Sequence, residues 1–373
     1  MTAYPIDKLI FEPNDVDLSR SPLRRSLDWP TFTLGAFNPG LCRLPNGNLL
    51  MMVRVAEALA DPIIGDHIHA IRWTPEGYAR DAHRADQADV SDPRVFTMGG
   101  HHGRVLGLTS LSWLLPVELS ADGLQVVGVH YDRAIEPQAS YEMYGVEDAR
   151  ITKIDDTYYM TACSVSPERH CTTLRTSADG LDWTFQGIIL DHQNKDMLLF
   201  EEKIGGDFWA LTRPQGEVYF GYPEESPWLG GPSINLATSP DALHWRPRPG
   251  TCIRSRKGST TNVRMGGGAQ PVRTDAGWLV LYHGVEKSGK VGIYRTFWAL
   301  LDHDDPSKIL RLEDQAPVLE GRADLTAHLQ DQMYVQDVVF TTGLADGGDH
   351  YIVVSGEADL ACRVTHIPKS VFA

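Results

Sequence analysis

Short apolar runs, each entered from a turn sequence, recur along most of this chain. From Phe37 onward, runs of four to six residues follow stretches rich in Gly, Asn, Asp and Pro. Runs of this length between such residues predict β-strands, because a helix needs a longer amphipathic pattern. The runs cover residues 49–53, 158–163, 208–211, 278–282 and 351–354. Only residues 325–332 have the spacing of a short helix, so the pattern predicts an all-β fold.

One turn sequence occurs three times. It reads Ser-Ala-Asp-Gly at 120–123, Ser-Ala-Asp-Gly-Leu-Asp-Trp at 177–183 and Ser-Pro-Asp-Ala-Leu-His-Trp at 239–245, so successive copies start 57 and 62 residues apart. The Asp side chain in such a turn accepts hydrogen bonds from nearby backbone N–H groups, and Gly adopts the positive φ of a tight turn. Each copy follows a strand-like run, which predicts a reused β-hairpin.

The repeat also predicts an architecture. At about 60 residues per unit, residues 35–373 hold five to six units, and a five-bladed β-propeller is the best fit. We expect a short N-terminal extension over residues 1–30 and a single catalytic propeller domain over residues 31–373. Ligands of such folds bind where the inner strands converge, so polar residues beside those strands are the candidates for function.

The composition is that of a globular protein with many turns. The 373 residues include 34 Gly and 23 Pro, and 42% are hydrophobic. The formal net charge of −15 argues against a general binder of nucleic acid or anionic membranes, since both need a basic surface. The N-terminus lacks the apolar core of a secretory signal, and the five cysteines form no tight framework. We therefore expect free buried thiols and a cytoplasmic protein.

Charged residues stand beside several predicted inner strands. Asp148 and Arg150 share one strand face, where the guanidinium can hold the carboxylate or bind an anion beside it. Later units contribute Lys195, Arg213, Arg264 and His283. Each feature alone fits a surface ion pair, a solvated turn or a structural strand end. At equivalent places on successive units, however, they would form a basic ring suited to a small anion such as phosphate.

The sequence carries no cofactor motif. It has no phosphate-binding P-loop, no nucleophile elbow and no dinucleotide fingerprint. Cys163 and Cys171 lack zinc-type spacing, and no third ligand accompanies His67 and His69. We therefore expect neither a metal nor an organic cofactor.

The phrases around these residues, in this order, resemble glycoside hydrolase family 130, the β-mannoside phosphorylases and related β-mannosidases. The similarity extends from about Phe37 to Asp359. The matching phrases lie at 146–151, 194–196, 199–204, 213–214, 265–268, 277–279, 282–284, 300–302 and 338–340. The family's fold is a five-bladed β-propeller, in agreement with the unit count above.

The resemblance implies an inverting phosphorylase that cleaves β-mannosides or short β-manno-oligosaccharides and releases α-mannose 1-phosphate. Asp148 matches the family's sole catalytic carboxylate, the general acid, while inorganic phosphate attacks the opposite face of the sugar. A phosphate nucleophile replaces the base carboxylate of an inverting hydrolase, but it needs cations to hold it. By match, the phosphate ligands are Arg213, Arg264, His283, Lys195 and Tyr294. The sugar-binding positions are Asn38, Arg54, Asp92, Arg150 and Asp302.

Two carboxylates leave another reaction open. Glu201 stands where the family commonly has Pro, and hydrolytic members use a carboxylate base where phosphorylases bind phosphate. One alternative is thus an inverting β-mannosidase with Glu201 or Glu286 as base, and another is a non-catalytic carbohydrate-binding propeller. The expected partners are a small β-mannoside and phosphate, with no nucleic acid and no membrane. A homo-oligomer is compatible with the sequence, and the motifs do not specify the linkage or the acceptor sugar.

Overall fold

The computed structural model of the protein describes residues 4–92, 94–100, 103–191, 193–216, 219–249 and 253–373. Over these residues the fold is all-β, as the sequence predicts. The strands are β1 (Asp7–Phe11), β2 (Thr31–Arg43), β3 (Leu49–Leu59), β4 (Ile63–Ile64), β5 (His67–Thr74), β6 (Gly77–Arg84), β7 (Ala88–Asp92), β8 (Val95–Gly100), β9 (Gly103–Leu108), β10 (Ser110–Leu119), β11 (Val126–Val129), β12 (Gly145–Ile154), β13 (Thr157–Val165), β14 (His170–Ser177), β15 (Thr184–Leu190), β16 (Asn194–Leu199), β17 (Phe208–Pro214), β18 (Asn235–Ser239), β19 (Arg246–Pro247), β20 (Arg264–Gly267), β21 (Val272–Thr274), β22 (Gly277–Glu286), β23 (Ile293–Leu301), β24 (Ile309–Glu313), β25 (Val339–Asp346), β26 (His350–Glu357) and β27 (Ala361–Pro368).

The helical segments of the described residues are all short 3₁₀ turns. They cover Pro13–Asp15, Leu18–Arg20, Pro22–Arg25, Ala85–Gln87, Tyr131–Arg133, Ser140–Glu142, Ala327–Gln332 and Lys369–Phe372. The stretch expected to be helical at 325–332 is thus a 3₁₀ helix from Ala327. Among all the described residues, no helix is long and apolar enough to cross a membrane.

Four-stranded antiparallel units build most of the described fold. Strands β16 to β19 form one unit, β20, β22, β23 and β24 form another in which the short β21 also pairs with β22, and β25 to β27 form a third with β1 at the edge. The eight-stranded sheet consists of two more, β2, β3, β10 and β11 followed by β12 to β15. These two meet through a parallel bridge between Ser112 and Gly145. Two three-stranded sheets, β4 to β6 and β7 to β9, are inserted between β3 and β10.

The three Ser-x-Asp turns join the third and fourth strands of their units, between β10 and β11, β14 and β15, and β18 and β19. In the second copy, Asp179 Oδ1 accepts hydrogen bonds from the backbone N–H groups of Leu181 and Asp182, both at 2.8 Å. Gly180 follows with φ +82°. The predicted hairpin turn is therefore confirmed, and its Asp carries the turn as the sequence suggests.

The N-terminal segment packs onto the last unit. Strand β1 pairs with β27, where Asp7 lies opposite Thr365. Asp7 also accepts two hydrogen bonds from Arg363, at 2.6 and 2.7 Å. Phe11 and Leu23 are buried in the apolar cluster shared by the first and last units. Residues 7–27 therefore contribute directly to the core around the first unit.

The described cysteines are free and buried, in agreement with the sequence-based expectation. They are Cys42, Cys163, Cys171 and Cys362, while Cys252 lies outside the described residues. Burial raises the pKa of the Cys42 and Cys171 thiols to about 12, so both stay protonated at neutral pH.

We expect Asp179→Ala to lower the free energy of unfolding by about 1–2 kcal/mol, because two backbone N–H groups lose their acceptor. The midpoint and slope of urea unfolding measure the change. Asp156→Ala, at an exposed turn position, is the control and should stay within about 0.5 kcal/mol of the wild type. An equally small effect of Asp179→Ala would show that the turn does not depend on this carboxylate.

Candidate active site

Three polar residues with left-handed backbone lie on the first strands of successive units. Asn38 on β2 has φ +49°, Asp148 on β12 has φ +51° and Asp196 on β16 has φ +53°. Each coincides with a shift in the pairing register of its strand. Asn and Asp are the non-Gly residues that adopt this conformation most readily, and such bulges re-aim side chains. One repeated backbone feature therefore presents a polar side chain from three neighbouring units.

Asp148 is buried, and only one of its carboxylate oxygens is held. Asn38 Nδ2 donates to Oδ1 at 2.9 Å, and Arg54 Nη1 donates to the same oxygen at 3.0 Å. Arg54 also bonds Glu147, through Nη2 at 2.8 Å. Asp148 Oδ2 accepts no hydrogen bond from the described residues, so it remains available to a substrate.

The charges around Asp148 decide its protonation. Burial alone would raise the pKa of Asp148, but the positive charges of Arg54 and Lys195 outweigh burial and hold it below its ordinary value. The free protein therefore carries Asp148 as a carboxylate at neutral pH. An anion bound next to these cations would offset their charge and raise the pKa of Asp148 again.

Arg150, the next predicted sugar-binding residue, is almost fully buried among backbone carbonyl groups. Its Nη1 donates to the Asp148 carbonyl oxygen at 2.7 Å, and its Nε donates to the Gly268 carbonyl oxygen at 2.6 Å. The third nitrogen, Nη2, lies 3.7 Å from Asp196 Oδ1. The guanidinium thus connects the backbone of Asp148 with the Gly-rich segment of another unit.

Arg213 and His283 meet at Asp196. Arg213 Nη1 lies 3.0 Å from Asp196 Oδ2 and 3.1 Å from His283 Nε2. Because a guanidinium can only donate hydrogen bonds, His283 Nε2 is the acceptor and the imidazole is neutral with its proton on Nδ1. Burial and the neighbouring Arg213 charge, which both disfavour imidazolium, hold the pKa of His283 well below its usual range.

The remaining predicted phosphate ligands lie beside this pair. Arg264 on β20 and Tyr294 on β23 stand opposite Val285 from its two sides, so their side chains share one face of the sheet and hydrogen-bond each other. The rings of Tyr294 and His283 are 5.8 Å apart. Lys195 lies opposite Arg213 across β16 and β17, with its Nζ 3.6 Å from Glu147. The structure therefore brings together all five residues expected to bind phosphate.

Several buried polar atoms of this cluster have no hydrogen-bond partner among the described residues. They are Asn38 Oδ1, Arg150 Nη2, Asn194 Oδ1, Asp196 Oδ2, Arg213 Nε and His283 Nδ1. Three of them are donors and three are acceptors. A buried donor without an acceptor costs about 1–3 kcal/mol, and folded proteins keep such groups mainly at functional sites. The unmet donors favour an anionic ligand.

Asp359 and Arg94 are among the site residues that were not singled out from the sequence. Asp359, with φ +49°, lies 3.2 Å from Arg94 Nη1, and burial raises its pKa. Arg94 lies between β7 and β8, so the inserted sheet β7–β9 reaches the site through this contact. The only sequence feature that could have identified Asp359 is its position at the end of the region that resembles family 130. Asp92, a predicted sugar-binding residue, ends β7, and its side chain lies outside the described part of the structure.

Asp302, also expected to bind sugar, is not brought to this cluster. It follows β23, eight residues after Tyr294, which corresponds to roughly 26 Å of extended strand. Its Oδ1 accepts hydrogen bonds from the backbone N–H groups of Asp304 and Asp305, both at 3.0 Å. Asp302 therefore stabilises a turn at the far end of its strand.

The two alternative base carboxylates have other partners. Glu201 accepts a hydrogen bond from the backbone N–H of Arg273 at 2.7 Å and lines a separate cavity of about 600 Å³ with Thr152. Thr152 is four residues along β12 from Asp148, roughly 13 Å away. Glu286 is paired with Arg295 at 2.6 Å.

The site is positively charged within an acidic protein. Its cationic side chains are Arg54, Arg94, Arg150, Lys195, Arg213 and Arg264, and its carboxylates are Glu147, Asp148, Asp196 and Asp359. Six cations and four anions leave a charge of +2, against −15 for the whole chain. Within the described residues, no group of His, Cys, Asp and Glu side chains could hold a metal ion. A bound phosphate dianion, with its charge of −2, would balance the charge of the site.

Known proteins similar to this chain include several named as mannoside phosphorylases. A beta-1,2-mannobiose phosphorylase of Listeria innocua is 32% identical over 342 residues, which cover 87% of this chain and 86% of that protein. A 1,2-beta-oligomannan phosphorylase of a Thermoanaerobacter species is 31% identical over 64% of this chain and 74% of its own. A solved structure of the Listeria innocua phosphorylase in complex with beta-1,2-mannobiose superimposes with a TM-score of 0.81 at 29% identity, over 97% of this chain and 95% of that one.

The family assignment follows from the sequence match. The model of glycoside hydrolase family 130, described as beta-1,4-mannooligosaccharide phosphorylase, matches residues 110–372. This range includes Asp148 and all the predicted phosphate ligands, and the match to the Listeria innocua protein, which covers 87% of this chain, extends beyond it. The chain belongs to glycoside hydrolase family 130.

Proposed function

We propose that this protein is an inverting phosphorylase that cleaves β-1,2-linked mannobiose or short β-1,2-manno-oligosaccharides with inorganic phosphate. The observation that carries the proposal is one buried carboxylate, Asp148, beside a cluster of cations in which Arg150 Nη2 and Arg213 Nε have no hydrogen-bond partner among the described residues. The β-1,2 linkage rests on relatives. Those named for β-1,2 substrates are 31–32% identical to this chain, whereas a beta-1,4-mannooligosaccharide phosphorylase of Ruminococcus albus is 26% identical over 52% of it.

In the proposed reaction, phosphate occupies the side of the site formed by Arg213, Arg264 and His283. A phosphate oxygen attacks C1 of the mannosyl residue while the bond between C1 and the glycosidic oxygen breaks on the opposite face. The configuration inverts, so a β-mannoside gives α-mannose 1-phosphate. Asp148 supplies the proton that the leaving oxygen needs, by way of the mannosyl 3-hydroxyl as the family resemblance implies. The proton of hydrogen phosphate restores the acid, so protons balance.

Phosphate also accounts for the protonation of Asp148. Arg54 and Lys195 keep this group ionised in the free protein, which is unsuitable for a general acid. A bound dianion would offset the +2 charge of the site and raise the pKa of Asp148. Phosphate would thus be both the nucleophile and the ligand that allows the acid to be protonated.

The hydrolytic alternative has less support. Glu201 lines the separate cavity beyond Thr152, and Glu286 is engaged by Arg295, so neither lies beside Asp148 with an unpaired carboxylate. A non-catalytic sugar-binding role would leave the buried, unpartnered cationic donors without a purpose. Transfer of a mannosyl group to phosphate uses both Asp148 and the cations beside it.

We also propose that the four-stranded units are the blades of a five-bladed propeller formed by residues 31–373. Five such units follow from the strand order of the described residues. The first strands of three of them carry Asn38, Asp148 and Asp196, which meet at one site. Convergence of first strands on a common point is the arrangement that a propeller provides. Residues 7–11 would then be the outer strand of the last blade, while residues 16–27 pack on the core around the first blade.

We expect turnover of β-1,2-mannobiose to require phosphate and to yield equimolar mannose and α-mannose 1-phosphate. The reaction is followed by chromatography of the products with and without phosphate, at ionic strength matched with chloride. Mannobioses with β-1,3 and β-1,4 linkages test the proposed linkage in parallel. Equal mannose release without phosphate would establish a hydrolase instead.

We expect Asp148→Asn to lower kcat about 10³-fold or more, because the amide cannot deliver the proton to the leaving group. Binding of β-1,2-mannobiose, measured by calorimetry, should change little, since Asn keeps the contacts with Asn38 and Arg54 in part. Asp155→Asn is the matched control, because Asp155 also has left-handed backbone, φ +53°, but lies in the exposed turn after β12. Retained turnover in Asp148→Asn would remove this residue from the role of acid.

A further inference from the structure

Asp196 is a buried carboxylate with three charged or titratable side chains within 4 Å. Its side chain is 1% exposed. Its oxygens lie 3.0 Å from Arg213 Nη1, 3.7 Å from Arg150 Nη2 and 3.7 Å from His283 Nε2. One buried carboxylate therefore faces two guanidinium groups and an imidazole that come from three other strands.

The backbone holds Asp196 in this place. Because the register shifts after Lys195 and Asp196 has a left-handed φ, these two consecutive residues contact different side chains. Lys195 reaches Glu147, whereas Asp196 reaches Arg150 and Arg213. On the opposite side, a Cβ on Gly266 would lie 2.6 Å from Asp196 Oδ2, so the absence of a side chain at Gly266 makes room for the carboxylate.

The charge of Asp196 is needed because the two guanidinium groups repel each other. Burial and the neighbouring Arg213 both disfavour the charged form of Arg150, while the Asp196 carboxylate favours it. Removing one member of a buried ion cluster leaves the others uncompensated and free to move apart. Arg213 would then lose the contact that directs Nη1 toward His283.

We propose that Asp196 is a positioning residue that fixes Arg213 and His283 in the geometry that binds phosphate, without contacting either substrate. This inference rests on the proposed phosphorylase function. Positioning by Asp196 and a simple effect of its charge predict opposite changes in phosphate affinity. If Asp196 only reduced the net positive charge of the site, its neutralisation would tighten phosphate binding. If it positions the ligands, neutralisation weakens phosphate binding.

The test is the steady-state kinetics of Asp196→Asn with β-1,2-mannobiose and phosphate varied independently. Partners that orient the ligands of a bound ion change affinity or activity by 10- to 100-fold in metal sites, and we expect a rise in phosphate KM of about that size. The KM for β-1,2-mannobiose should stay within about twofold, because the contacts of Asn38 and Arg54 with Asp148 do not involve Asp196.

Two further variants separate positioning from folding. Asp196→Glu keeps the charge but displaces the carboxylate by one methylene, so phosphate KM should rise, though less than in the Asn variant. Asp314→Asn is the matched control, because Asp314 is 3% exposed and pairs with Arg256 away from the site. Its phosphate KM should be that of the wild type. Thermal unfolding of all variants monitors the loss of stability that a purely structural carboxylate would also cause.

Coupling to Arg213 completes the test. In the Arg213→Met background, Asp196→Asn should raise phosphate KM by a smaller factor than in the wild type, because one of the two ligands that Asp196 positions is already gone. An unchanged or lowered phosphate KM in both Asp196 variants would overturn the inference, and so would full additivity with Arg213→Met. If the wild type shows no phosphate-dependent turnover, the proposed function itself fails, which is a separate outcome.

Discussion

The structure depends on charge compensation inside a buried cluster. Asp148 and Asp196 are both buried, and each is surrounded by cationic side chains from neighbouring strands. Taking such charges out of water costs several kcal/mol per ion, so the cluster is tolerated only where each ion has a close partner. The pairing is incomplete on the cationic side, and this remaining positive charge is what makes the cluster suited to binding an anion.

Compensation of this kind requires precise backbone placement. Asn38, Asp148 and Asp196 each occupy a left-handed conformation at a register shift on the first strand of a unit. Because the shift re-aims the side chain, a strand that otherwise alternates between two apolar surroundings can present one polar group. Reuse of the same irregularity in three units lets one fold bring three polar side chains to one place.

The sequence predicted well where the pattern was local. The strands, the Ser-x-Asp hairpins and the phrase around Asp148 depend on neighbours within a few residues, and the structure has the strands and turns where they were expected. Sequence reasoning was weaker where a role depends on distant strands. Asp302 stands in a family-like phrase but stabilises its own turn, whereas Asp196, Asp359 and Arg94 gain importance only from partners far along the chain.

The amino-acid sequence by itself determined the all-β class, the hairpin period and the residue types available for an anion site. These features follow from short-range periodicity and turn chemistry, which act within one unit. Only the tertiary structure decided which charges meet. Arg213 and His283 lie next to each other beside Asp196, and only one oxygen of Asp148 accepts hydrogen bonds from the described residues. Glu201 lines a different cavity. Ion pairing and desolvation depend on distances between strands that are far apart in sequence, and no local pattern records those distances.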